Sequence, residues 1–232
     1  MRVTELFYSL QGEGLLVGTP SVFVRLAGCP LRCRWCDTKY AWDYSGGTEF
    51  ALDDLVEQIC VQPCRHVVVT GGEPLVGADS APREGLAMLT QQLKRLGRHI
   101  TIETSGVAFV PDLACDLMSI SPKLDNSAPT EPQRAAIHAQ AHRDQAAVAE
   151  LIDRYDYQLK FVVDAAEDLA QIEETLAGLG EVDPHKVLLM PQVAGREELR
   201  VKGPMVAELC LRTGFTFSSR LQVMLWNDER GK

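Results

Sequence analysis

The stretch SVFVRLAGCPLRCRWCDT, Ser21 to Thr38, passes without a break from an apolar run to three cysteines, an aromatic, an acid and a hydroxyl. Its first half, with Val22, Phe23, Val24 and Leu26, has the β-branched and aromatic composition of a buried strand. Its second half crowds Cys29, Cys33 and Cys36 together in a chain with only four other cysteines. A strand that opens directly into a polar loop is the unit from which the rest of the chain can be read.

Similar apolar runs recur at HVVVT (from His66), HITIET (from His99), DLMSIS (from Asp116), YQLKFVV (from Tyr157), KVLLMP (from Lys186) and RLQVMLW (from Arg220), all read as strands. Between most of them, Ala51 to Cys60, Glu84 to Leu96, Glu167 to Leu179 and Glu197 to Arg212 carry apolar residues at spacings of three and four, the mark of amphipathic helices. Nearly continuous Val, Ile and Leu imply strands buried on both faces, and alternation with helices implies parallel pairing through right-handed crossovers. The expected class is α/β, a partial or modified (β/α) barrel, with a doubly wound open sheet as the alternative. Polar, Gly or Pro residues follow the strands, as in VVVT-GGEP, ITIET-SG, MSIS-PK and VLLM-PQ. In parallel α/β folds the loops at that strand edge converge on the active site.

At 232 residues the chain fits a single domain, 1–232, of roughly the size of one barrel. The segment 124–156 begins with Pro129 and Pro132, turns Ala-rich, and is read as a surface insertion ending in a helix. His138 and His142 stand four apart on it, a ligand spacing, but without a third ligand nearby they are read as part of a solvated helix face. No run approaches the roughly 18 apolar residues of a membrane span, and the N-terminus has no cleavage-site pattern, so a cytoplasmic protein is expected. A formal net charge of −9 argues against nucleic acid as a partner, since phosphate neutralisation needs concentrated Lys and Arg. Seven cysteines in a reducing compartment remain thiols, which turns a tight cluster towards metal binding or catalysis.

A structural zinc site closes with four ligands, often from two knuckles, and only one knuckle is present. Cys60 and Cys64 offer a CxxxC pair without knuckle-like flanks, so a zinc-stabilised binding module is the alternative of another class. Iron–sulfur clusters are held by Cys thiolates, usually four, and three close cysteines would leave one iron of a cubane open for chemistry.

With CxxxCxxC at Cys29, Cys33 and Cys36, and Trp35 before the last cysteine, the chain resembles the radical S-adenosylmethionine superfamily. TGGEP, Thr70 to Pro74, follows the next strand as that superfamily's GGE motif does. YSLQGEG (Tyr8 to Gly14), SVFVRLAGC, CDT, TGGEP, ETSG and SPK, in that order, resemble the 7-carboxy-7-deazaguanine synthases of 7-deazapurine (queuosine-type) biosynthesis. The likeness runs from about Met1 to Lys123 and resumes more weakly afterwards. It implies a lyase that contracts 6-carboxy-5,6,7,8-tetrahydropterin to 7-carboxy-7-deazaguanine with loss of ammonia. A 5'-deoxyadenosyl radical would take hydrogen from C6 and later return it, so that S-adenosylmethionine is regenerated.

The resemblance also implies site residues. Cys29, Cys33 and Cys36 would hold a 4Fe-4S cluster and Thr38 a magnesium ion, which prefers oxygen ligands and keeps several waters. S-adenosylmethionine would contact Trp35, Cys36, Asp37, Gly72, Glu73 and Glu103. Ser121, Pro122, Lys123, Met190, Pro191, Gln192 and Val193 would complete its surroundings. Leu10, Gln11, Gly12, Glu13, Arg25 and Thr70 would bind the substrate, with Arg25 gripping its carboxylate through paired hydrogen bonds. The implied partners are the pterin, an external electron donor such as a flavodoxin, and a second copy in a homodimer. Structural alternatives are an ion pair for Arg25, a loop cap for Thr38 and a packed aromatic for Trp35. The nearest functional alternative is a glycyl-radical enzyme activating enzyme, which shares CxxxCxxC. Near the C-terminus the family pattern leads one to expect His where the chain has Gln222.

Overall fold

A computed structural model describes residues 1–78, 83–143, 145–227 and 229–231. β1 (Arg2–Leu10) and β2 (Pro20–Leu26) form an antiparallel pair with Phe7 opposite Phe23, and the short β3 (Thr48–Glu49) pairs with the other edge of β1. From β2 the sheet continues in parallel through β4 (His66–Gly71), β5 (His99–Thr104), β6 (Leu117–Ile120), β7 (Tyr157–Val163), β8 (Val187–Pro191) and β9 (Thr216–Phe217). The order β3-β1-β2-β4-β5-β6-β7-β8-β9 rises steadily from β2, with no reversal. Right-handed crossovers in such an order place the helices on one face, whereas a doubly wound sheet needs a switch in strand order. The sheet is therefore a partial barrel, open between β3 and β9.

The four helices read from sequence are present as α1 (Leu52–Cys60), α2 (Leu86–Arg95), α5 (Asp168–Leu179) and α6 (Arg196–Thr213), after α3 (Pro132–Arg143) and α4 (Ala146–Arg154) are counted in chain order. Val67, Val68 and Val69 of β4 are all fully buried, as expected of a strand covered on both faces. Among the described residues no helix is long and apolar enough to cross a membrane.

Three expectations change. RLQVMLW is not a strand: α7 (Leu221–Trp226) is helical, with the Leu221 amide bonded to the Gly12 carbonyl and β9 taking the sheet edge instead. A short, mostly apolar run does not by itself distinguish helix from strand, and half-exposed Met224 and Leu225 show that it is not covered on both faces. His138 is buried rather than solvated, with the Ser127 hydroxyl 2.7 Å from its Nε2; the His142 side chain lies outside the described residues. Finally, the segment 124–156 contains the crossover from β6 to β7, in which α4 contributes Val148 and Leu151 to the main core.

Candidate active site

The carboxyl ends of the parallel strands surround a cavity of about 280 Å³. β2 ends in the cysteine loop, which is fastened at both sides: Gly28 N bonds Ala41 O at 2.8 Å, and Cys29 N bonds Trp42 O at 3.2 Å. Arg32 reinforces it by donating to the carbonyls of Cys29 and Leu31 from within. The next strand presses the loop into place. Glu73 N bonds Gly28 O at 2.8 Å, and a Cβ on Gly72 would lie 2.2 Å from that same carbonyl. Glycine is required there by the closeness of two backbones.

Cys29, Cys33 and Cys36 all line this cavity, and all seven cysteines of the chain are free thiols. Burial, with Glu73 adding, pushes the Cys29 thiol up to about 12, and burial also raises Cys33 against the pull of Lys123. Unaided, these two are neutral thiols; a cationic partner is what would make them thiolates. Among the described residues no three His, Cys, Asp or Glu side chains converge on a single metal ion. Three cysteines that each take a different iron of a cubane do not need to converge, so the donor set fits a cluster with one open iron. Cys64 instead points its thiol at the His66 carbonyl, and neither it nor Cys60 lines the cavity.

The other walls gather most of the expected residues. Trp35 lies beside Lys123, whose ammonium is 5.8 Å from the ring centroid and bonds both Ser121 O and Ser121 Oγ. Thr38 faces the cavity with its hydroxyl 3.5 Å from Cys36 Sγ. Gly72, Glu103, Met190, Pro191, Gln192 and Asp37 also line it, as do Leu10, Gly12 and Thr70. Gln11 donates to Glu103 at 3.1 Å, joining the N-terminal turn to the end of β5. Glu13 is surrounded by cations. Lys160 bonds one of its oxygens, while Arg220 at 3.2 Å and Gln222 at 2.8 Å bond the other. Burial works to raise the Glu13 carboxyl, but Lys160 and Arg220 outweigh it and hold the group at about 2. Arg25 contributes a half-buried guanidinium whose Nε donates to Glu5 at 2.9 Å.

Three expected cofactor neighbours stand off the cavity wall. The Glu73 carboxylate is spent inside the protein on Leu75 N, Thr104 Oγ1, Ser105 N and Ser105 Oγ, tying the glycine turn to the end of β5. Val193 is 1% exposed and meets Arg220 through its carbonyl, and Pro122, between Ser121 and Lys123 in the chain, is buried. Conversely, the cavity includes residues the sequence did not single out. Phe7 and Phe23 stack with centroids 4.9 Å apart and planes within 6°, giving an apolar patch on the wall. Their pairing follows from the β1–β2 register, which no local pattern announces. Lys160 and Arg220 reach the cavity from β7 and the C-terminal segment, the latter beside Gln222, which the sequence marks only as a departure from the family pattern.

Comparison with known proteins identifies the family. A family model described as the Radical SAM superfamily matches residues 24–172. A Rhodopirellula baltica protein named 7-carboxy-7-deazaguanine synthase is 39% identical over all of this chain and 88% of its own length. One of the same name from Halobacterium salinarum is 40% identical over 98% of this chain and 91% of its own. The crystal structure of QueE from Escherichia coli superposes with a TM-score of 0.68 at 27% identity, covering 95% of this chain and 93% of that one. The chain thus belongs to the radical SAM superfamily and, within it, to the family of 7-carboxy-7-deazaguanine synthases.

Proposed function

We propose that this enzyme converts 6-carboxy-5,6,7,8-tetrahydropterin to 7-carboxy-7-deazaguanine with loss of ammonia, a step of queuosine-type biosynthesis. The observation that carries the reading is one cavity in which three free cysteines, a stacked aromatic pair and the Arg25 guanidinium line the same space. Cys29, Cys33 and Cys36 would hold the 4Fe-4S cluster, which with S-adenosylmethionine would supply the one-electron chemistry for hydrogen abstraction.

The protein's own side chains do the rest by holding and orienting. Arg25 takes the substrate carboxylate, and Phe7 and Phe23 offer the planar ring an apolar face. Gln11 and Gly12 meet the polar edge of the pterin. Glu13, kept ionised by Lys160 and Arg220, accepts from its guanidine-like nitrogens. Glu103, Ser121 and Lys123, with Gln192, Met190 and Pro191, form the surroundings of S-adenosylmethionine beside Trp35. Thr38 would supply one oxygen ligand to a bound magnesium ion. The whole chain, 1–232, acts as one domain, in a cytoplasmic homodimer served by an external electron donor such as a flavodoxin. Seven free thiols suit such a reducing compartment.

The rival reading, activation of a glycyl-radical enzyme, consumes S-adenosylmethionine. Net 5'-deoxyadenosine, measured against product during anaerobic turnover, separates the two. The proposal expects many product molecules per 5'-deoxyadenosine released. Stoichiometric release, dependent on a protein partner, would overturn it.

A further inference from the structure

Arg25 reaches the cavity, but one side of its guanidinium is already engaged. Glu5 on β1 is its direct cross-strand neighbour on β2, and the Nε of Arg25 donates to Glu5 Oε2 at 2.9 Å. Both side chains are only 16% exposed. Glu5 itself is held on every side. The Tyr40 hydroxyl donates to the same Oε2 at 2.5 Å, and Arg230 Nη2 donates to Oε1 at 3.1 Å. The Arg230 guanidinium lies 3.7 Å from the Tyr40 ring centroid, covering that ring. Glu5 lines no part of the cavity, so it acts from behind.

A free guanidinium can take a carboxylate in two ways: across its Nε and one Nη, or end-on through both Nη nitrogens. With Nε committed to Glu5, only the second is open. Among the described residues no protein group bonds the two Nη nitrogens of Arg25. The carboxylate of Glu5 therefore fixes the guanidinium plane and aims its remaining fork. Tyr40 lies two residues beyond Thr38, so the same carboxylate also anchors the loop that carries the Thr38 hydroxyl.

Resting on the proposed role of Arg25, we infer that Glu5 is a positioning residue for recognition of the substrate carboxylate. It holds Arg25 for end-on docking and is itself clamped by Tyr40 and Arg230. Without it Arg25 remains charged but is free to turn, and the paired contact is lost even though the guanidinium stays.

The inference is tested by the ratio of two dissociation constants, measured by anaerobic calorimetry on reconstituted enzyme with S-adenosylmethionine present. The ligands are 6-carboxy-5,6,7,8-tetrahydropterin and 5,6,7,8-tetrahydropterin, which lacks the carboxylate. Wild type should prefer the carboxylated ligand by about ten- to a hundredfold, the worth of a charge-assisted paired contact. Glu5→Gln, which keeps the shape and removes the charge, should lose most of that preference while tetrahydropterin binds as before, and KM should rise more than kcat falls. Arg230→Ala, at an exposed position, should lower the preference severalfold and decides the matter if Glu5→Gln does not fold. A wild-type ratio in both variants, or equal weakening of both ligands, would overturn the role of Glu5. The control is Arg25→Ala: if it abolishes the preference while the Glu5 and Arg230 variants keep it, only the positioning role fails. If Arg25→Ala keeps the preference, the carboxylate contact assigned to Arg25 fails with it.

Discussion

Changing Cys29, Cys33 or Cys36 to Ala, one at a time, is expected to yield protein that does not hold a four-iron cluster and does not cleave S-adenosylmethionine. Three thiolates are the smallest set that leaves a cubane with one open iron, and two cannot take their place. No other cysteine can step in. Cys64 and Cys210 are each 8% exposed and packed into the main core, and none of Cys60, Cys64, Cys115 or Cys210 borders the cavity. Alanine at those four positions should leave the iron content and the visible spectrum of the reconstituted protein unchanged. Loss of iron in Cys64→Ala together with retention in Cys33→Ala would contradict the assignment.

The second large effect is expected at Thr38. Its hydroxyl borders the cavity beside Cys36, where an oxygen ligand would join a cation to the substrate. A cation held there would help to orient the substrate, and a misplacement of about 1 Å costs roughly a hundredfold in rate. Thr38→Ala should lower turnover by about that factor and flatten its response to added Mg²⁺. The cluster spectrum and S-adenosylmethionine binding should survive, because the cysteines are untouched. Thr38→Ser keeps the oxygen and should keep most of the activity. A full Mg²⁺ response in Thr38→Ala, or wild-type turnover that persists after exhaustive chelation, would count against the ligand role.

What could be read in the sequence was local or repeated. The cysteine loop declared itself because its spacing is a ligand pattern and because it follows a strand whose Val, Phe and Leu residues leave no doubt about burial. Each later site segment, from the glycine turn of TGGEP to the polar ends of ETSG and SPK, was visible as a strand that stops in polar residues. The wall built by the C-terminal segment was not visible in this way. Arg220 and Gln222 meet Glu13 across more than two hundred residues, and Arg230 meets Glu5 across a similar span, so no window of sequence contains both partners.

Two other differences have equally physical causes. Glu73 sits in a motif that suggests a ligand contact, yet a carboxylate 1% exposed must find protein donors, and it finds them in Thr104 and Ser105. RLQVMLW has strand-like composition but lies beyond the last strand, where it forms a helix whose first amide, Leu221 N, bonds the Gly12 carbonyl of the N-terminal turn. That contact also explains the tightness around QGEG. A Cβ on Gly12 would fall 1.8 Å from the Gln222 side-chain oxygen, so the glycine makes room for the tail. Gln222, where the family pattern led to an expectation of His, donates to Glu13 and helps to secure that carboxylate.

The most direct measurement is mass spectrometry of the products formed by the anaerobically reconstituted enzyme from 6-carboxy-5,6,7,8-tetrahydropterin, S-adenosylmethionine, Mg²⁺ and a reductant. The expected result is 7-carboxy-7-deazaguanine accompanied by an equal amount of ammonia, over many turnovers and with S-adenosylmethionine recovered. Reductive cleavage of S-adenosylmethionine with the pterin left unchanged would contradict the proposed reaction.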